Sequence, residues 1–166
     1  MKNTFEIAIC PWGGEYRPKA GGTVEIIPEK GIQVTLYCEE TEIRAVNETP
    51  DSPVWQDSCL ECFIRYYPDD ERYINFEVNA NGCMLSEIGK DRNRTYLRDM
   101  GLELPEVEAI RTEKGWQIRY LVTYELVKKA YPCGTRRMPP VHRKSLPSYP
   151  LQYLRKPPHI HATKPP

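Results

Sequence analysis

No stretch of the 166-residue chain approaches the roughly 18 consecutive apolar residues that a bilayer-crossing helix needs, so no membrane partner is expected. Glu6 interrupts the N-terminal stretch where a signal peptide would carry its apolar centre. The expected location is therefore cytoplasmic, or extracellular if the chain is a truncated form. Histidine is absent before His142, which weakens any haem reading that needs a His ligand. The six cysteines stand at 10, 38, 59, 62, 83 and 133, too sparse for a disulfide scaffold, and read as mostly reduced, small apolar residues. Acidic residues are absent after Glu125.

That last absence divides the chain. Met1–Tyr131 holds all 23 Asp and Glu beside 16 Lys and Arg, a net charge of −7. From Pro132 onward there are 7 Lys and Arg, no acid, and 9 of the 16 prolines. An acidic body repels phosphate, which argues against a nucleic-acid partner. The organisation expected is one domain over 1–131 and a Pro-rich basic tail over 132–166. The tail shows neither strand nor helix period, and reads as irregular or as an altered terminus.

Within the body, alternation of apolar and polar residues dominates. Thr23–Ile27 and Ile32–Cys38 flank Pro28-Glu29-Lys30-Gly31, a hairpin pattern. Cys59–Tyr66, Tyr73–Ala80 and Cys83–Ile88 follow, with Asn81-Gly82 a strong two-residue turn signal between the last two. Gly89–Gly101 is polar and basic and reads as a loop. Glu106–Thr112 and Trp116–Thr123 flank a further turn, and Tyr124–Ala130 reads as one or two helical turns. Short strands with regular turns and almost no helix predict an all-β, antiparallel β-sandwich.

The second hairpin carries the chemistry. Leu60, Cys62 and Ile64 share a side with Ile74, Phe76, Val78 and Ala80, which makes that side the core. The other side presents Cys59, Glu61, Phe63 and Arg65, with Tyr73, Asn75, Glu77 and Asn79 from the partner strand. Carboxylates, amides and rings on one face suit a sugar, whose hydroxyls need donors and acceptors and whose ring has an apolar side. Trp55, just upstream in a polar loop, is a candidate stacking platform, and Trp12 a second. Trp116 alternates in phase with Ile118, Tyr120 and Val122 and reads as core.

The run Pro53-Val54-Trp55-Gln56-Asp57-Ser58-Cys59-Leu60-Glu61-Cys62-Phe63-Ile64 resembles the Trp-Asp-Glu-Phe signature of the family 9 carbohydrate-binding modules. Tyr73–Gly82 is similar to the strand pair that follows in their bacterial relatives. The resemblance implies a β-sandwich that grips the end of a sugar chain, often between two Trp rings. It places Trp55 as one ring and Glu61 as the acid that accepts hydroxyls; the polar sheet face adds Asn75 and Glu77 as further candidates beside them. The partner expected is an oligo- or polysaccharide. No cofactor is expected except the structural calcium of some family members, for which no run here matches the ligands. The family's second Trp has no counterpart after Trp116.

Two other readings compete with a non-catalytic binding module. Glu61 and Glu77 could form the acid and base of a glycoside hydrolase, if their strands pair. The chain could instead be a structural or interaction protein with a decayed sugar site. Cys59 and Cys62 have a zinc-like spacing, but residues three apart in a strand face opposite sides and cannot share a metal without a turn.

Overall fold

The computed structural model describes residues 2–7 and 18–132. Trp12 and the basic tail lie outside the described residues. The strands are β1 (Lys2–Glu6), β2 (Lys19–Ile27), β3 (Gly31–Glu39), β4 (Cys59–Ile64), β5 (Tyr73–Asn79), β6 (Met84–Lys90), β7 (Asn93–Tyr96), β8 (Val107–Thr112) and β9 (Gly115–Thr123). They form a five-stranded sheet in the order β1-β2-β3-β9-β8 and a four-stranded sheet in the order β4-β5-β6-β7. Every pairing is antiparallel. The chain is an all-β sandwich.

Alternation explains the layers. Val34, Leu36 and Cys38 of β3 and Trp116, Ile118, Tyr120 and Val122 of β9 point inward from the larger sheet. Leu60, Cys62 and Ile64 of β4, Ile74, Phe76 and Val78 of β5 and Met84 and Ile88 of β6 meet them from the smaller one. Phe76 and Tyr120 join the layers directly, with ring centroids 5.6 Å apart. Trp116 is core as expected, and its indole N–H donates to the buried Glu40 carboxylate at 2.7 Å. Burial pushes the Cys62 thiol up to about 12, as befits a side chain that fills space in the core.

The turns follow their residues. Gly82, at φ +84°, takes the left-handed position of the Asn81-Gly82 turn. A Cβ there would stand 3.2 Å from that of Ala109. Helix α1 (Tyr124–Ala130) matches the expected segment, with the Thr123 hydroxyl accepting the Leu126 N–H at 3.1 Å and Leu126, Val127 and Ala130 turned inward.

Two parts of the pattern differ from expectation. β6 runs on to Lys90 and turns through Asp91-Arg92 into β7, so Gly89–Gly101 is not wholly a loop. β1 pairs with β2 although four of its five residues are exposed, because its backbone hydrogen bonds need no inward apolar row.

Phe76→Ala should destabilise the domain by about 3–5 kcal/mol, since it empties the centre of the sandwich. Urea unfolding should show a lower midpoint at an unchanged slope.

Candidate functional site

The site begins with a single 3-10 turn, Val54–Gln56, that docks against β4 and β5. Val54 is fully buried in a small apolar cluster with Cys59 and Leu85, against which Tyr96 and Cys83 pack. This cluster lies on the outer side of the smaller sheet, away from the main core. Cys59 belongs to it while Cys62 belongs to the main core, so the two sulfurs do face opposite sides.

Asp57 closes the turn. Its Oδ2 accepts the backbone N–H groups of Val46 at 3.1 Å and Asn47 at 2.9 Å. The same oxygen accepts the side-chain amides of Asn47 at 3.0 Å and Asn79 at 2.9 Å. The Arg44 guanidinium stands 3.5 Å from Oδ1. Burial alone would raise the pKa of Asp57, but the N–H groups of Asn47, Asn79 and Val46 together outweigh it and lower the value. Ser58 adds a second clasp, its N–H donating to Arg44 O at 2.7 Å and its hydroxyl accepting the Arg44 N–H at 3.1 Å.

Trp55 stands between buried Val54 and buried Asp57, and is itself 36% exposed. Its neighbours on both sides are held, so the indole is presented to solvent rather than folded into the core.

The outer face of the smaller sheet reads in rows. Glu61 opposes Glu77, and Glu77 opposes Leu85. In the next row Phe63 opposes Asn75, Asn75 opposes Glu87, and Glu87 opposes Tyr96. Tyr73, Gly89 and Arg94 make a third. Val54 packs on Leu85, so the turn carrying Trp55 sits on the row of Glu61 and Glu77. From Leu85 to Glu61 is two strand spacings, about 10 Å.

This face is more covered than alternation suggests. Asn75 and Asn79 have no exposed surface, and Glu77 only 8%. Asn75 donates to Glu77 Oε1 at 2.8 Å, stands 3.5 Å from Glu87 Oε2, and accepts the Glu87 N–H at 3.1 Å. Arg94 Nη1 lies 3.1 Å from Glu87 Oε2 and 4.0 Å from Glu77 Oε1. The expectation that Asn75 meets a ligand directly is therefore corrected: its amide is spent on the two carboxylates, beneath the accessible layer. Asn79 is spent in the same way on Asp57 and the turn. Glu61 remains half-buried, opposite Glu77.

Sequence reasoning missed Glu87, Arg94 and Tyr96. The alternation Arg94-Thr95-Tyr96, with a β-branched and an aromatic residue, was the available signal for β7. A groove of about 560 Å³ opens at the Asn81-Gly82 end, lined by Glu48, Pro50, Asn81, Cys83, Leu104 and Val107 among others. Among the described residues, none of Trp55, Glu61, Asn75 and Glu77 lines it. Among the described residues no group of three or more His, Cys, Asp or Glu side chains could hold a metal ion. Asp57 faces N–H donors, which do not fit a structural calcium.

The model of carbohydrate-binding family 9 matches residues 7–126. The chain belongs to carbohydrate-binding family 9. No curated protein matches this family 9 chain. Among solved structures it is similar to that of a supposed carbohydrate-binding protein from Bacteroides uniformis ATCC 8492, with a TM-score of 0.61 at 18% identity. The likeness covers 82% of the family 9 chain and 64% of its neighbour, less than two thirds of that protein's length. At this identity the neighbour bears on the fold, and the family match carries the carbohydrate-binding assignment.

Because Asp57 has a lowered pKa in the folded state, its contribution to stability is present above its unfolded value of about 3.9 and is lost as pH falls through the lower folded value. Asp57→Asn should lower stability at pH 7 by about 1–3 kcal/mol, since it sets an amide N–H₂ among donors. Urea unfolding between pH 2 and 7 should show part of the wild-type acid loss missing in the variant.

Proposed function

We propose that this family 9 domain binds an oligo- or polysaccharide by laying one sugar ring on Trp55 while carboxylates of the adjoining row accept its hydroxyls. The observation that carries this is the exposed indole on a turn locked at both ends, docked on the row of Glu61 and Glu77. An aromatic ring covers the apolar side of a pyranose, and a carboxylate accepts hydroxyl hydrogen bonds that are stronger than neutral ones. Glu61 supplies the direct contacts. Glu77 contributes through its small exposed surface, and Asn75 orders both Glu77 and Glu87 from below.

The reaction is binding, with no covalent step. Asn75 and Arg94 engage Glu77 in contacts that hold it in place, an arrangement suited to presenting acceptors. Membership in the family supports a non-catalytic role, and attachment to a hydrolase is compatible with it.

Titration of tryptophan fluorescence with glucose, galactose, xylose, cellobiose and maltose should give a saturable change that Trp55→Ala removes. Glu61→Ala should weaken the same binding at least tenfold while leaving the melting temperature within about 2 °C. Hydrolysis of a chromogenic glycoside abolished by Glu61→Gln but not by Trp55→Ala would overturn the binding reading in favour of an enzyme.

A further inference from the structure

The groove at the Asn81-Gly82 end of the sandwich shares no residue with the sugar site, and its volume of about 560 Å³ suits a small organic molecule. Its walls are fixed by bonds within the protein. Thr49 O accepts the Cys83 thiol at 2.8 Å and the Ser52 hydroxyl at 2.6 Å, and the Asp51 N–H donates to Met84 O at 3.1 Å. These bonds tie the 48–50 segment to the start of β6. On the other side Val107 is held in the pairing of β8 with β9. Gly82 lies against it, since a Cβ there would stand 3.6 Å from Val107 Cγ1.

The lining has a one-sided chemistry. Pro50, Met84, Leu104, Pro105 and Val107 are apolar. Asn81 is already engaged: its amide nitrogen donates to Ala45 O at 3.0 Å, and its Oδ1 accepts Arg111 Nη2 at 2.8 Å. The Cys83 thiol is engaged by Thr49. Glu48 supplies the one carboxylate of the lining, exposed and with no hydrogen bond or ion pair to the described residues. The guanidinium groups beside the groove, Arg111 and Arg98, are taken up by Asn81 and by Asp51, the latter at 3.5 Å, and neither lines it.

We propose that this groove is a second binding site, which takes a small aliphatic primary ammonium, its hydrocarbon chain along Leu104, Pro105 and Val107 and its charge on Glu48. The proposal goes beyond the sugar reading and does not depend on it. Charge complementarity selects the cation: an alkanoate would set a carboxylate against that of Glu48, and an alcohol would gain no ionic contact. The apolar walls select the chain, since its methylenes leave water there. A sugar fits less well, because its hydroxyls would meet groups whose hydrogen bonds are already made.

The test titrates hexylamine, butylamine, hexanol, hexanoate and glucosamine into the nitrogen-15-labelled full chain at pH 7, where the amines are charged. The amide signals of Asn81, Gly82 and Cys83 report the groove, and the Trp55 indole N–H reports the sugar site. Hexylamine should shift the three amides saturably and leave the indole unmoved. It should bind about fivefold more tightly than butylamine, about fivefold more tightly than hexanol and at least tenfold more tightly than hexanoate. Glu48→Gln, at an exposed position, should bring hexylamine to within about twofold of hexanol, and 1 M NaCl should narrow the same gap in the wild type. Hexylamine that leaves the three amides unmoved overturns the proposal, as does equal affinity for hexylamine and hexanoate. Unchanged hexylamine affinity in Glu48→Gln overturns the role of the carboxylate, and equal affinity for butylamine and hexylamine overturns that of the walls. Glucosamine that shifts the same amides at lower concentration than hexylamine would make the groove a sugar subsite instead and overturn the proposal. None of these outcomes bears on Trp55, whose sugar titration is read at a separate signal.

Discussion

One carboxylate oxygen holds the site together. Asp57 Oδ2 gathers four N–H donors from two separate parts of the chain, Val46–Asn47 and Asn79. A buried charge is costly unless donors meet it, and here the donors to Oδ2 belong to the segments that must be brought together. The loop before the turn, the turn itself and the end of β5 thus share one anchor. The orientation of Trp55 is a consequence of this. An indole two residues before such an anchor, with Val54 sunk in an apolar cluster on its other side, has little freedom to turn inward. The ordering of this turn is thus largely settled during folding.

The second constraint is electrostatic. Three carboxylates on adjacent strands would repel one another, and cross-strand Glu61 and Glu77 face each other directly. The face is held by Asn75 from beneath and Arg94 from the edge strand, one supplying neutral donors and the other charge. Together these two residues fix the Glu77 and Glu87 carboxylates in space. The paired glutamates are the feature most suggestive of catalysis on paper. The same network that holds Glu77 leaves it little of the exposed surface that proton exchange with a substrate needs.

The layers of the sandwich were legible because period two is written plainly in Trp116, Ile118, Tyr120 and Val122 and in Leu60, Cys62 and Ile64. Trp55, Asp57 and Glu61 were legible as a signature. What Asp57 does was not, because its partners lie 10 and 22 residues away, and side-chain periodicity says nothing about hydrogen bonds across loops. The burial of Asn75 was hidden for a related reason: alternation assigns a face, but not the side-chain hydrogen bonds made across it. β7 escaped notice because a four-residue edge strand with Asn93 and Arg94 has a composition indistinguishable from a polar turn. β1 escaped because Lys2 to Glu6 has no clear inward row. Arg94 was thus unreadable as a site residue until its strand was seen.

The placement of the thiols gives the molecule a built-in reporter. Cys59 and Cys62 are separated by the thickness of the sheet, each enclosed and each raised in pKa by burial. Neither presents the ionised sulfur that alkylating reagents or oxidants attack, and the sheet forbids them from bridging. Modification of Cys62 must therefore wait for the two layers to part. Its rate under mild conditions is a clock for how often the whole sandwich opens.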